Sequence, residues 1–296
     1  MRGESPAIAA LIAAEGLPES YRKTIEHHWR PIAAAIAARA ADAVQPLIIG
    51  VSGSQGSGKS TLCRVFEVLL HENHGLHAAT LSLDDLYLTR AERADLAAMV
   101  HPLFATRGVP GTHDVALGKA VLAAVRAGQS GIRLPRFDKA ADDRAAPAEW
   151  PVIAAPIDVL LFEGWCMGAA PQAPAELAAP INRLEADEDP DGAWRSHVNA
   201  ALAGPYRALF AQPDMMIMLA APGFEAVLGW RQLQETKLRA RTGGGMSDRE
   251  LARFVMHYER ITRQLLTDLP ARADVVVTLS ADHAVCAVRH AARGGG

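Results

Sequence analysis

Residues Gly53-Ser54-Gln55-Gly56-Ser57-Gly58-Lys59-Ser60 match the spacing G-x-x-x-x-G-K-[ST], and their flanks leave few folds able to use it. Pro46 to Ser52 is a short, nearly continuous apolar run, as expected of a strand buried on both faces. Beyond the loop, Leu62, Val65, Phe66, Leu69 and Leu70 form one apolar stripe at helical spacing, with Gly75 placed to stop the helix. A glycine-rich turn between such elements can direct its backbone N–H groups around an anion, and the helix N-terminus adds free N–H groups and a favourable dipole. In this arrangement Lys59 reaches the β- and γ-phosphates of a nucleotide and the Ser60 hydroxyl ligates Mg2+, the nucleotide site running from Gly53 through Thr61.

The alternation of strand and helix continues. Thr80–Leu83, Ile157–Phe162, Asp214–Leu219 and Asp274–Leu279 read as further strands with helical patterns between them. This predicts an α/β fold of the P-loop NTPase type: a parallel sheet with a five-stranded core and helices on both faces. Residues 1–45 read as a helical appendage, with Ile25, Trp29, Ile32 and Ile36 at helical spacing. Residues 46–290 form the main domain. Ser247-Asp248-Arg249-Glu250 is a capping box that opens a helix through about Leu266. Residues 168–192, rich in Pro, Ala and acids, read as a long surface loop, and Gly294–Gly296 as a frayed tail.

In a parallel sheet ligands lie beyond the carboxyl ends of the strands. Two predicted strands end there in acids, one at Asp84-Asp85 and one at Glu163, which Gly164 follows. A hydroxyl that accepts a phosphoryl group has a high pKa and needs a base near the γ-phosphate, a role that falls to Asp84. Glu163 supports the metal.

Composition excludes several classes. At 296 residues, 50% hydrophobic and 21% charged, the chain can bury a sizeable core. A net charge of −3 with no basic run argues against nucleic acid as partner. No apolar run has the length of a membrane span, and the N-terminus lacks a secretory pattern. The three cysteines lie far apart, which fits a reducing cytoplasm.

These motifs resemble the uridine kinase, pantothenate kinase and phosphoribulokinase group of P-loop kinases: the strand, loop and helix, then Asp84-x-Leu86-Tyr87, then Leu161-Phe162-Glu163-Gly164. Within the group several segments are similar to the D-glycerate 3-kinases, above all Arg107-Gly-Val-Pro-Gly-Thr-His-Asp114. Leu134-Pro-Arg-Phe-Asp-Lys139, Glu163-Gly-Trp-Cys166, Trp230 to Arg239 and Tyr258-Glu-Arg-Ile-Thr262 match as well, so the likeness spans about 46–283. Leu86 stands where that family commonly has Phe. The resemblance implies Mg2+-dependent transfer of the ATP γ-phosphate to a hydroxyl of D-glycerate, giving 3-phosphoglycerate.

An acidic acceptor beside ATP needs cations beyond Lys59. Arg107, His113, Arg136 and Lys139, in substrate loops over about 100–145, are the candidates, and Asp114 and Asp138 can orient them. Arg231, Lys237, Arg239 and Arg241 crowd a helical segment before Thr242-Gly-Gly-Gly245, which reads as a lid over about 228–246. His27-His28 and the tryptophans read as structural. Two alternatives stand beside a glycerate kinase. One is another kinase of the same group, acting on uridine or pantothenate. The other is a regulatory P-loop NTPase, although none of the five lysines lies in the N/T-K-x-D motif of a guanine switch.

Overall fold

The computed structural model describes residues 5–242 and 244–291, with the side chains of 237, 238, 241 and 242 left out. Its centre is a six-stranded sheet. In chain order the strands are β1 (Leu47–Gly53), β2 (Ala78–Ser82), β3 (Val159–Gly164), β4 (Met215–Ala220), β5 (Val275–Leu279) and β6 (Val285–His290). Spatially they run β6-β5-β4-β1-β3-β2. The first five are parallel, as the alternating pattern predicts. The sixth, antiparallel to β5, is an addition that the sequence pattern did not single out. Its residues are mostly exposed, so it lacks the apolar alternation that marks a half-buried strand.

The helix Lys59–His74 follows β1 and is stopped by Gly75 in the left-handed region (φ +66°). Its predicted stripe is fully buried. The N-terminal helices Pro6–Ala14 and Arg30–Ala41 bury Ile8, Ile12, Ile32 and Ile36 in one apolar cluster with β1, β4 and that helix. Between them a π turn, Ile25–Trp29, carries the chain into Pro31 without breaking the helix. The helix Asp248–Asp268 opens on the predicted capping box, in which Ser247 and Glu250 exchange hydrogen bonds with each other's backbone N–H. Among the described residues no helix is long and apolar enough to cross a membrane.

The segment 168–192 is a correction. It contains the helices Pro174–Leu177 and Arg183–Glu188, and it buries two carboxylates completely, Glu185 and Asp189. Arg260 grips Glu185 with two hydrogen bonds of 2.8 and 2.6 Å, and Arg195 pairs with Asp189 at 2.9 Å. The segment reads as a surface loop in the sequence because Arg260, the partner that satisfies Glu185, lies 75 residues away.

Candidate active site

Parallel register brings the carboxyl ends of β1, β2 and β3 to one edge. Glu163 pairs with Val51 of β1 on one side and with Ser82 of β2 on the other. It therefore stands between the phosphate loop and Asp84, which follows Ser82 in a short 3-10 turn. A cleft of about 800 Å3 opens over this edge, lined among others by Lys59, Ser60, Asp84, Arg107, Arg136 and Glu163.

The loop has the shape its glycines allow. Gly58 caps the helix at φ +89°, a conformation that a residue with a Cβ adopts only under strain. Lys59, although charged, is 9% exposed, and its ammonium donates to the Ser54 carbonyl at 3.2 Å, across the loop. The hydroxyls of Ser54 and Ser57 are buried in the same loop with no hydrogen-bond partner among the described residues. A buried donor left unpaired is costly, and a phosphate oxygen is the acceptor such a loop is built to receive. Thr61, predicted in the nucleotide site, instead turns its hydroxyl to Glu15 of the N-terminal region at 3.2 Å.

The Ser60 hydroxyl donates to Glu163 Oε1 at 2.9 Å. A hydroxyl and a carboxylate side by side at the start of the phosphate-facing helix are the hard oxygen donors that Mg2+ prefers, so the residues present fit that ion.

Asp84 is held on both carboxylate oxygens. The Tyr87 hydroxyl donates to Oδ1 at 2.9 Å and the Lys139 ammonium to Oδ2 at 2.8 Å. Burial pushes its carboxyl upward, but the Lys139 charge and these two hydrogen bonds outweigh it and hold the group below the usual carboxylate range. Lys139 is raised in turn, chiefly by the Asp84 charge. The neighbouring Asp85 is raised by burial, against the opposing pull of Arg136, whose guanidinium lies 3.1 Å away. Phe137 N–H donates to the other Asp85 oxygen at 3.1 Å. Asp85 thus anchors the segment that carries Arg136 and Lys139.

The loop Arg107–Asp114 is a scaffold that presents Arg107. Tyr206 Oη accepts from the backbone N–H of Gly111 and His113 at 3.0 and 3.2 Å. Thr112 Oγ1 accepts from Gly108 N–H at 3.0 Å, and Trp165 Nε1 donates to the Gly108 carbonyl at 3.0 Å. Gly108, at φ +144°, lies so close under Tyr258 that any Cβ there would collide with the phenol. Arg107 is then fixed by an ion pair with Asp142 and by the Phe137 ring, 5.3 Å from its guanidinium carbon.

Three members of the predicted substrate set, His113, Asp114 and Asp138, are absent from the cleft lining, and Asp138 accepts from the Ala140 N–H of its own turn at 2.8 Å. His113 is 5% exposed, stacked on Tyr87 at 4.5 Å between ring centroids, with Nδ1 2.6 Å from Tyr206 Oη. Burial pushes it down to about 3, so it is neutral and cannot pair with an anion. Asp114 caps the helix Val115–Arg126 and pairs with Arg144 at 2.9 Å. Both roles are structural: the motif's histidine and aspartate hold the loop while its arginine faces the cleft.

Of the predicted lid cations, the side chains of Lys237 and Arg241 lie outside the described residues. Arg239 pairs with Asp248 at 2.7 Å, at the start of the following helix. The helix Phe224–Thr242 sends the fourth of these cations, Arg231, to the cleft together with Gln234. Arg231 is steadied by buried Glu235 at 3.2 Å and by the Phe254 ring. Tyr87, Tyr258, Trp165 and Asp85 also line the cleft and are given no site role by the sequence. Tyr87, Trp165 and Tyr258 lie inside the matching segments, and Asp85 is adjacent to Asp84. Only the fold shows which of them face inward.

A phosphate loop feeding a helix, a carboxylate on the adjacent strand beside the loop's serine and an aspartate just past the next strand define the class of P-loop kinases. No family model matches the chain. The chain is 36% identical over 225 residues to the "Uncharacterized kinase mug58" of Schizosaccharomyces pombe, covering 72% of this chain and 79% of that protein. It is 33% identical over 227 residues to the chloroplastic D-glycerate 3-kinase of Arabidopsis thaliana, covering 73% of this chain and 47% of that longer protein. Among solved structures, D-glycerate 3-kinase from Cryptococcus neoformans superposes with a TM-score of 0.75 at 25% identity, covering 88% of this chain and 97% of that one. The chain belongs to the P-loop kinase family that includes the D-glycerate 3-kinases. It is an ATP-dependent phosphotransferase acting on a small molecule.

Proposed function

We propose that the chain transfers the γ-phosphoryl group of ATP to the 3-hydroxyl of D-glycerate in a Mg2+-dependent reaction. One observation carries the reading: Arg107, Arg136 and Lys139 converge with Asp84 on the cleft that contains the phosphate loop. A nucleoside acceptor has no use for three cations, whereas a hydroxy acid brings a carboxylate that they can hold. The likeness to two D-glycerate 3-kinases supports the same acceptor.

The terminal phosphates lie in the loop 53–60, with Lys59 as the local positive charge. Ser60 and Glu163 would hold Mg2+, which would supply charge neutralisation for the transferring phosphoryl group. The cations orient the acceptor acid so that its hydroxyl lies toward Asp84. Asp84, ionised at neutral pH, accepts the hydroxyl proton as the new bond to phosphorus forms. Because the transition state is loose, alignment contributes more than base strength, which suits a carboxylate held below its usual range. Three free cysteines support a reducing, cytoplasmic setting.

The test is a coupled ADP-release assay with ATP and Mg2+ over D-glycerate, uridine and pantothenate, with the phosphorylated position of the product identified. Turnover of D-glycerate to 3-phosphoglycerate is expected. Turnover of uridine or pantothenate without D-glycerate overturns the acceptor. ATP hydrolysis indifferent to every acceptor overturns the kinase reaction in favour of a regulatory NTPase.

A further inference from the structure

The aspartate assigned as base carries a hydrogen-bond donor on each of its oxygens in this structure. Tyr87 occupies Oδ1, and the Lys139 ammonium occupies Oδ2 at 2.8 Å. An acceptor hydroxyl must reach one of those oxygens, and a cation seated on it competes for the same negative charge. Tyr87 is buried and packed between His113 and Phe137, at 4.5 and 5.2 Å between ring centroids, so its hydroxyl stays in place. Lys139 is different. Its side chain is 62% exposed, on the turn between the short strands Phe137–Asp138 and Asp143–Arg144. The base of that turn is fixed by Phe137 N–H on Asp85, and by Arg144 on Asp114 and Glu92 at 2.9 Å each. The ammonium can therefore swing on its flexible stem while the backbone stays still. Arg107 and Arg136 have carboxylate partners of their own, Asp142 and Asp85, neither of which is assigned to the chemistry.

We infer that Lys139 is a specificity switch on the base: it leaves Asp84 Oδ2 only when the acceptor supplies a replacement carboxylate, so that an anionic acceptor unmasks the aspartate and a neutral alcohol does not. This rests on the acceptor reading above. Exchange of one carboxylate partner for another keeps the ammonium paired throughout, whereas a neutral alcohol must separate the ion pair with nothing in return. Once Oδ2 is free the acceptor hydroxyl donates to it. The hydroxyl oxygen then bonds to the γ-phosphorus, the bond from that phosphorus to the bridging oxygen breaks with its electron pair leaving on ADP, and the proton passes to Asp84 and from there to solvent.

The experiment compares D-glycerate with glycerol, which replaces the carboxylate by a neutral hydroxymethyl group. It measures kcat/KM by ADP release for the unaltered protein, Lys139→Met and Lys139→Arg. Lys139→Met should lower kcat/KM for D-glycerate and raise it for glycerol, each by about tenfold, the scale of one modest interaction, so that the preference collapses about a hundredfold. Lys139→Arg, which keeps a charge able to pair with either carboxylate, should retain most of the preference. A glycerol rate that falls with the glycerate rate, leaving the ratio unchanged in Lys139→Met, overturns the switch. The two readings fail separately. Absence of D-glycerate turnover in the unaltered protein refutes the substrate, and the ratio then decides the switch with the acid that is turned over and its neutral alcohol.

Discussion

Replacing Asp84 by Asn removes the proton acceptor and little else. The Asn side chain has the same shape, and its amide oxygen can still accept from the Tyr87 hydroxyl that now bonds Oδ1 at 2.9 Å. The lost partner is Lys139, which is 62% exposed and is left in water rather than stranded. An ion pair of that kind contributes at most about 1 kcal/mol, so the fold should hold, with a melting temperature within a few degrees of the parent. The phosphate loop and Ser60–Glu163 contact are untouched, so ATP affinity should be preserved. Loss of a positioned general base costs about 100- to 10,000-fold in rate, or roughly 3 to 5 kcal/mol of barrier. A coupled ADP-release assay gives kcat, and calorimetric titration of a non-hydrolysable ATP analogue gives the nucleotide Kd. A kcat within threefold of the parent removes Asp84 from the chemistry. A Kd that weakens in step with kcat means that the aspartate acts on nucleotide binding instead.

Asp84 is held below the usual carboxylate range, so it stays ionised as pH falls from neutral, and the stability its pairing contributes is lost only as pH drops through that lowered folded value. The pH profile of kcat/KM should therefore be flat on the acid side down to about the ordinary carboxylate pKa near 4, and an acid limb near 6 contradicts the assignment. Glu163→Gln keeps the hydrogen bond from Ser60 but loses the charge. It should raise the Mg2+ concentration needed for half-maximal rate by about tenfold or more, and an unchanged Mg2+ titration removes Glu163 from the metal. Glu185→Ala leaves the guanidinium of Arg260, 9% exposed, without its carboxylate, and should cost about 3 to 5 kcal/mol in urea unfolding; a loss under about 1 kcal/mol refutes the buried pair as a structural tie.

Much of the site was legible because its chemistry is local in the chain. Gly58, Lys59 and Ser60 are consecutive, and their function depends only on a strand before and a helix after. Asp84 and Glu163 were legible for a different reason: strand-end acids in a parallel sheet fall on one edge whatever the rest of the fold does. The members of the motif Arg107–Asp114 do not share one role. Arg107 faces the cleft, but His113 turns inward on Tyr206 and Asp114 caps a helix. Nothing in the spacing of those residues separates a cation that meets an anion from a histidine whose burial keeps it neutral.

Periodicity and glycine placement, properties of a few successive residues, specify the parallel α/β sheet, the phosphate-binding loop, the acid near the end of β3 and the acid just past β2. Tertiary structure alone decided the partners. Lys139 meets Asp84 from 55 positions away, Arg260 meets Glu185 from 75, and Tyr258 closes over Gly108 from the far end of the chain. These contacts set which charges are free, which are paired and which hydroxyl can approach the base. Charges act through space, so their pairing is fixed by where the folded backbone brings them and not by their order along it.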